Sequence, residues 1–177
     1  MIAMLAWYPG GMSAEQTGTT SYRIALATDD AGVGLRDHLL GVLREDSRVS
    51  AVSDFGVPDR NDKTPYPVPC VRAAESVRDG EVDRAVVLGG TGLGEAISAN
   101  KVRGVRAAVA TDPFSLERSV LSNDCQVLAL GERVVGLHLA ARLVTDWLGY
   151  EFDPSSPSAD KVAVLTRYEE TGRLEQD

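Results

Sequence analysis

Four glycines fall within six residues, Gly89-Gly90-Thr91-Gly92-Leu93-Gly94, and Glu95 follows at once. A backbone freed of side chains can turn several N–H groups towards one point, and such a nest stabilises negative charge. A carboxylate beside it can take a proton from a carbon next to a carbonyl, while the N–H groups hold the enediolate oxygen that develops. Two bland alternatives stand beside that chemistry. The loop also reads as a tight, closely packed turn, and Glu95 as a first-turn helix residue that complements the dipole. A P-loop is excluded, because no Lys-Ser/Thr follows the last glycine. The spacing Gly90-x-Gly92-x-Gly94 is not the G-x-G-x-x-G of a dinucleotide site, which argues against a nicotinamide enzyme.

Something has to present this loop. Ala85–Leu88 is a continuous apolar strand that runs straight into it, and a short helix is expected from Glu95. Further strands are expected over Tyr22–Ala27, Val49–Phe55, Val105–Ala110 and Val127–Leu130. Between them lie helical patterns: Leu35 to Leu43, Val68–Val77, Phe114–Leu121 and Val135–Trp147. Alternating strands and helices with uniformly apolar central strands predict an α/β fold, a doubly wound five-stranded parallel sheet covered on both faces. Ligands of such sheets sit beyond the carboxyl ends of the strands, which also brings Thr28-Asp29-Asp30 and Gly131-Glu132-Arg133 into view. After the breaker cluster Asp153-Pro154-Ser155-Ser156-Pro157, a last helix is expected from about Asp160 to Glu170.

The expected organisation is a poorly ordered extension over 1–20, an α/β domain over 21–152 and a C-terminal helical arm over 153–177. At 177 residues the chain can bury one substantial core. A net charge of −8 excludes a general nucleic-acid or anionic-membrane surface, since those partners need a concentrated positive field. An anionic ligand must therefore be held by a few local cations. No apolar run is long enough for a membrane span. Cys70 and Cys125 have neither metal-ligand spacing nor the density of a disulfide scaffold, so a cytoplasmic protein with reduced thiols and no metal is expected.

Several stretches together resemble the ribose-5-phosphate isomerase B / galactose-6-phosphate isomerase family: Ile24 to Gly32, Gly89 to Glu95, Ile97 to Arg106, and Ser122-Asn123-Asp124 leading to Gly131–Gly136. The similarity covers most of residues 22–170. It implies a Rossmann-like subunit that interconverts aldose and ketose phosphates without metal or organic cofactor. It also implies a homodimer with active sites between subunits, a tetramer being the alternative assembly. One branch of the family uses a Cys base just before the glycine loop, where this chain has Gly89. The other uses a Glu just after it, which assigns the base to Glu95. The resemblance further implies that Asp29 binds substrate hydroxyls or moves a proton between the two oxygens. Thr91, with Gly90, Gly92 and Gly94, would form the anion hole, and Asn123 would hold a substrate oxygen. Arg133 becomes a phosphate ligand, with an ion pair to Glu132 as the plainer alternative.

Departures from the family point to the substrate. Asp30 and Ser122 stand where the ribose enzymes usually carry His, the second proposed to open the sugar ring. His38 and His138 lie in helical patterns away from the loops and read as structural. A tetrose 4-phosphate has its O4 esterified, cannot close a five-membered ring and needs no ring-opening His. With Thr111 to Ser115, this resembles the erythrulose-4-phosphate isomerases of the family. Ribose 5-phosphate, bound open-chain, is the alternative substrate. A non-catalytic sugar-phosphate-binding module is the alternative of another class. In the arm, Pro157 replaces a common Arg, and Lys161 is retained as a candidate phosphate contact.

Overall fold

The apolar run Tyr22–Thr28 forms the interior strand β1, and its alternation decides how the sheet is covered. Ile24 and Leu26 point into a cluster of large side chains with Leu35, Leu39, Val86, Leu88, Leu128 and Trp147. Ala25 and Ala27 point the other way, into a cluster of small ones with Cys70, Ala73, Ala74, Ala96, Ala99 and Ala129. The sheet is thus thick on one face and thin on the other, and helices on the thin face sit close to the strands. The computed structural model describes residues 21–174; the expected extension over 1–20 lies outside the described residues.

In chain order the elements are β1, α1 (Val33–Glu45), β2 (Val49–Asp54), α2 (Pro67–Arg78), β3 (Arg84–Gly89), α3 (Leu93–Ala99), β4 (Ala107–Val109), α4 (Pro113–Leu121), β5 (Val127–Gly131), α5 (Leu137–Trp147) and α6 (Ala159–Thr171). The strands form one parallel sheet in the order β2-β1-β3-β5-β4. The large-residue cluster takes side chains from α1, α4 and α5, the small-residue cluster from α2 and α3. The expected doubly wound α/β architecture is therefore the observed one. Its connections diverge after β1, so the crevice between β1 and β3 is the place for a ligand. Register fixes the rim: Thr28 pairs with Leu88, and Gly89 with Gly131.

Boundaries moved where side chains intervene. β4 is shorter than the expected Val105–Ala110. The Asn100 side chain accepts from the Ala107 N–H and donates to its carbonyl, both at 2.8 Å, and so stands in for a further strand at this edge. Helix α2 begins at Pro67, because a first-turn proline lacks only an N–H that has no intrahelical partner. Helix α6 buries none of its residues. It is tied down by Glu169, which accepts from the Gly104 N–H at 2.9 Å, and by Arg103, which donates to the Glu169 carbonyl at 2.8 Å. Among the described residues no helix is long and apolar enough to cross a membrane.

Candidate active site

Glu95 sits in the first turn of α3, on the thin face of the sheet, and only 4% of it is exposed. Its carboxylate folds back over the end of β3. A methyl group placed on Gly89 would lie 1.7 Å from Oε1, so the acid occupies the space where a side chain at 89 would begin. A Cys at 89 and a Glu at 95 in this pose exclude each other sterically. Gly92 adopts φ +82°, a left-handed conformation that favours glycine, and this turns the chain into α3. Burial pushes the Glu95 carboxyl above the usual carboxylate range and the Asp29 charge adds to that. The N–H groups of Glu95 itself and of Gly92 pull it back down. Thr91 is exposed on the loop, its Oγ1 3.4 Å from the Leu93 N–H that points to it.

Asp29 directly follows β1 beside this carboxylate and is held by an Asx turn, Oδ1 accepting from the Ala31 N–H at 2.9 Å. Asp30 follows and pairs with Lys63, which also donates to the Arg60 carbonyl at 2.8 Å. Arg60 in turn pairs with Glu132 and donates to the Asp30 carbonyl at 3.1 Å. Glu132 is therefore taken by Arg60, and Arg133 has no part in that pair. The Arg133 guanidinium lies over the loop instead, its central carbon 3.6 Å from where a side chain on Gly90 would begin. Arg60, Lys63 and Tyr66 were missed by sequence reading. They sit in the loop 55–66, whose register against β1 and β3 nothing local reveals. The Tyr66 ring is pressed against the α-carbon of Gly94, with Cε2 2.7 Å from the position a Cβ would take.

Ser122, Asn123 and Lys161 lie elsewhere. They line a cavity of about 580 Å³ roofed by α6 and floored by α4 and the start of β4, with Arg106, Arg118, Ser115 and Ser158. Asn123 is anchored by donating to the Arg118 carbonyl at 3.0 Å, and Ser122 Oγ accepts from Arg118 at 3.4 Å. Cys125 also lines this cavity. Its thiol is pushed up to about 11 by burial, which keeps it protonated and poorly nucleophilic at neutral pH. Cys70 is fully buried in the small-residue cluster, its pKa raised by burial and by the nearby Glu95 and Asp29. His38 and His138 lie on α1 and α5. The cavity adjoins the amino end of β5, and the glycine loop adjoins its carboxyl end. The five residues of β5 span about 16 Å at ~3.3 Å each.

Fold and site together define an α/β enzyme with a buried carboxylate at the switch point of an open parallel sheet. A family model described as Ribose/Galactose Isomerase matches residues 24–165. The D-erythrulose-4-phosphate isomerase 2 of Mycolicibacterium smegmatis is 53% identical over 147 residues, which are 83% of this chain and 97% of that protein. The ribose-5-phosphate isomerase B of Escherichia coli is 40% identical over 131 residues, 74% of this chain and 86% of that one. The solved structure of Clostridium thermocellum ribose-5-phosphate isomerase B superposes with a TM-score of 0.80 at 38% identity, covering 85% of this chain and 99% of that one. The chain belongs to the ribose/galactose isomerase family and is a sugar-phosphate isomerase.

Proposed function

We propose that this isomerase interconverts erythrulose 4-phosphate and erythrose 4-phosphate through an enediolate, with Glu95 as the proton-transferring base. In the ketose-to-aldose direction the ionised carboxylate takes a proton from C1. The proton on the C1 oxygen passes to the C2 oxygen with the help of Asp29, and Glu95 returns its own proton to C2. The backbone of the loop 89–94, with Thr91, stabilises the developing oxygen charge, and the reaction calls on no cofactor. The observation that carries this reading is the Glu95 carboxylate, 4% exposed, set into the notch left by Gly89 and raised in pKa by burial. A base needs a pKa close to the working pH, and this environment moves a glutamate in that direction.

The four-carbon substrate is supported by Ser122, which offers no imidazole to open a furanose, and by the 53% relative that bears that substrate in its name. A shared site is supported by length. A tetrose phosphate has five bonds of ~1.5 Å from its first carbon to phosphorus, less than half the span of β5. This supports a reading in which the Glu95 loop and the Asn123 cavity that serve one substrate come from two subunits. The reading is a cytoplasmic homodimer in which the cavity of one copy completes the loop of the other. Exposed apolar side chains on α3, Leu93 and Ile97, and on α6, Val164 and Leu165, are available to such a contact.

The test is Glu95→Gln. Turnover of erythrulose 4-phosphate is expected to fall at least ~10²-fold, and solvent deuterium should no longer enter the product. Near wild-type turnover would reject the assignment. Faster turnover of ribulose 5-phosphate than of erythrulose 4-phosphate in the unaltered enzyme would move the substrate to five carbons. Absence of exchange into either would leave a binding module.

A further inference from the structure

The cavity beneath α6 has an unusual lining for a chain with a net charge of −8. Arg106, Arg118 and Lys161 face it, and no Asp or Glu does. A cavity with positive charge and no carboxylate is built for an anion. The three cations are not equally committed. Arg106 is spoken for: it pairs with Asp124 and donates Nε to the carbonyls of Asn123 and Asp124 at 3.0 and 2.9 Å. Lys161 makes no ion pair among the described residues, but it rises from an exposed helix and offers a single point charge. Position 157, earlier in the same arm, is proline and offers no side-chain donor.

Arg118 differs from both. Its Nε is buried and has no hydrogen-bond partner. One terminal nitrogen reaches Ser122 Oγ at a long 3.4 Å, and the other is held by its own sequence neighbour Glu117, an exposed pair of the kind that contributes little. A planar fork with unused donors, in a cavity lined also by Ser115, Ser122 and Asn123, matches the oxygens of a phosphate monoester. The glycine-loop side is less suited to this grip. Lys63 and Arg60 pair there with Asp30 and Glu132, and Arg133 stands beside Asp29 and Glu95, so carboxylates outnumber cations, whereas at the cavity only Asp124 and Glu117 face Arg106, Arg118 and Lys161 among the described residues.

We infer that Arg118 is a phosphate-binding residue of this isomerase, additional to the arm contact expected of Lys161, and that it serves the substrate whose reacting carbons lie at Glu95 of a second copy. The inference rests on the proposed function. Arg118 touches the phosphate and takes no part in proton transfer, so its removal should act on binding.

The experiment compares Arg118→Ala and Arg118→Lys in the full chain, with erythrulose 4-phosphate as substrate and inorganic phosphate as competitive inhibitor. Arg118→Ala is expected to raise KM and the phosphate inhibition constant together, each by about 10- to 100-fold, the scale of a lost charge-assisted hydrogen bond. kcat should stay within about threefold, since that is the pattern of uniform binding. Arg118→Lys keeps the charge but loses the fork, and should fall between. It carries the test if the alanine variant does not fold. Unchanged KM and phosphate inhibition, or a fall in kcat alone, overturns the inference. If Glu95→Gln is dead while the Arg118 variants are silent, only this inference fails. If Glu95→Gln stays active, the reading beneath it fails.

Discussion

The two ends of β5 carry opposite chemistry. At the carboxyl end, Asp29, Asp30, Glu95 and Glu132 stand on the connections that follow β1, β3 and β5, and two of the three cations there are bound to carboxylates. At the amino end, a cavity is lined by cations and hydroxyls and by no carboxylate; Arg106 and Arg118 pair with Asp124 and Glu117 beside it, and Lys161 makes no ion pair among the described residues. Under the proposed function the first region moves protons and the second seats the phosphate, and the two come together only between copies. The separation also serves the chemistry. A base keeps a raised pKa only if cations stay away from it, and a phosphate seat works only if carboxylates do.

Mixed dimers test this division most severely. Glu95→Gln and Arg118→Glu chains should each be nearly inactive alone. Co-expressed, they should form heterodimers in which one site carries both lesions and the other carries none. About half of the wild-type activity should then return per heterodimer, as two-fold symmetry requires. Failure to recover activity in a purified heterodimer would mean that base and phosphate seat belong to one subunit, and the comparison would be wrong.

Gly89→Ala breaks the proton-moving region alone. The added Cβ would lie 1.7 Å from Glu95 Oε1 and 2.4 Å from its carboxyl carbon. The atoms it meets are the far end of a flexible side chain, so the strand survives and the carboxylate moves. Turnover should fall by about as much as in Glu95→Gln, on the order of 10²-fold. The far-ultraviolet circular dichroism and Tm should stay close to wild type. An active Gly89→Ala enzyme would show that the acid need not occupy that notch.

How much of this was legible in the sequence follows from how local each signal was. The glycine loop, Glu95 and Asp29 are contiguous with apolar strands, so sequence alone placed them at strand ends. The close seating of α3 was less visible. It depends on Ala25, Ala27, Ala96, Ala99 and Ala129 from separate elements meeting on one face. Ser122, Asn123 and Lys161 were singled out, yet nothing in their spacing told that they face away from Glu95. That follows from the β3-β5-β4 order, in which the last crossover steps back towards the middle of the sheet. Arg118 could have been noticed four residues before Ser122 on one helical face. Its significance needed the cavity.

The pH dependence sharpens the contrast in a smaller way. Ionised Glu95 is the working form, so the acid limb of kcat/KM should lie above the usual glutamate range, reflecting burial and the Asp29 charge. The same shift has a cost in stability. A carboxyl whose pKa is raised by folding binds protons more tightly in the folded state, so its contribution is lost as pH climbs from the ordinary carboxylate value through the raised one. Glu95→Gln should therefore raise Tm at pH 7 and give no such gain at pH 3. A thermal scan at both pH values checks this. A lower Tm at pH 7 would mean that the nest stabilises the ionised acid by more than burial opposes it.

The smallest effect is expected at Cys125, and it separates lining the cavity from working in it. Cys125 touches the same cavity as Arg118 and Asn123, yet it is 8% exposed and its thiol is held near 11 by burial. At neutral pH it is a small apolar group with little thiolate to act as nucleophile or base. Serine keeps the volume and adds a hydroxyl that this setting solvates poorly, so Cys125→Ser should lower Tm by ~2–4 °C. kcat and KM for erythrulose 4-phosphate should stay within about twofold, because neither the phosphate donors nor Glu95 depend on the sulfur. A large rise in KM with Tm unchanged would show instead that the floor of the cavity positions Arg118. The division between charged contacts and packing drawn for this end of β5 would then have to be redrawn around the cysteine.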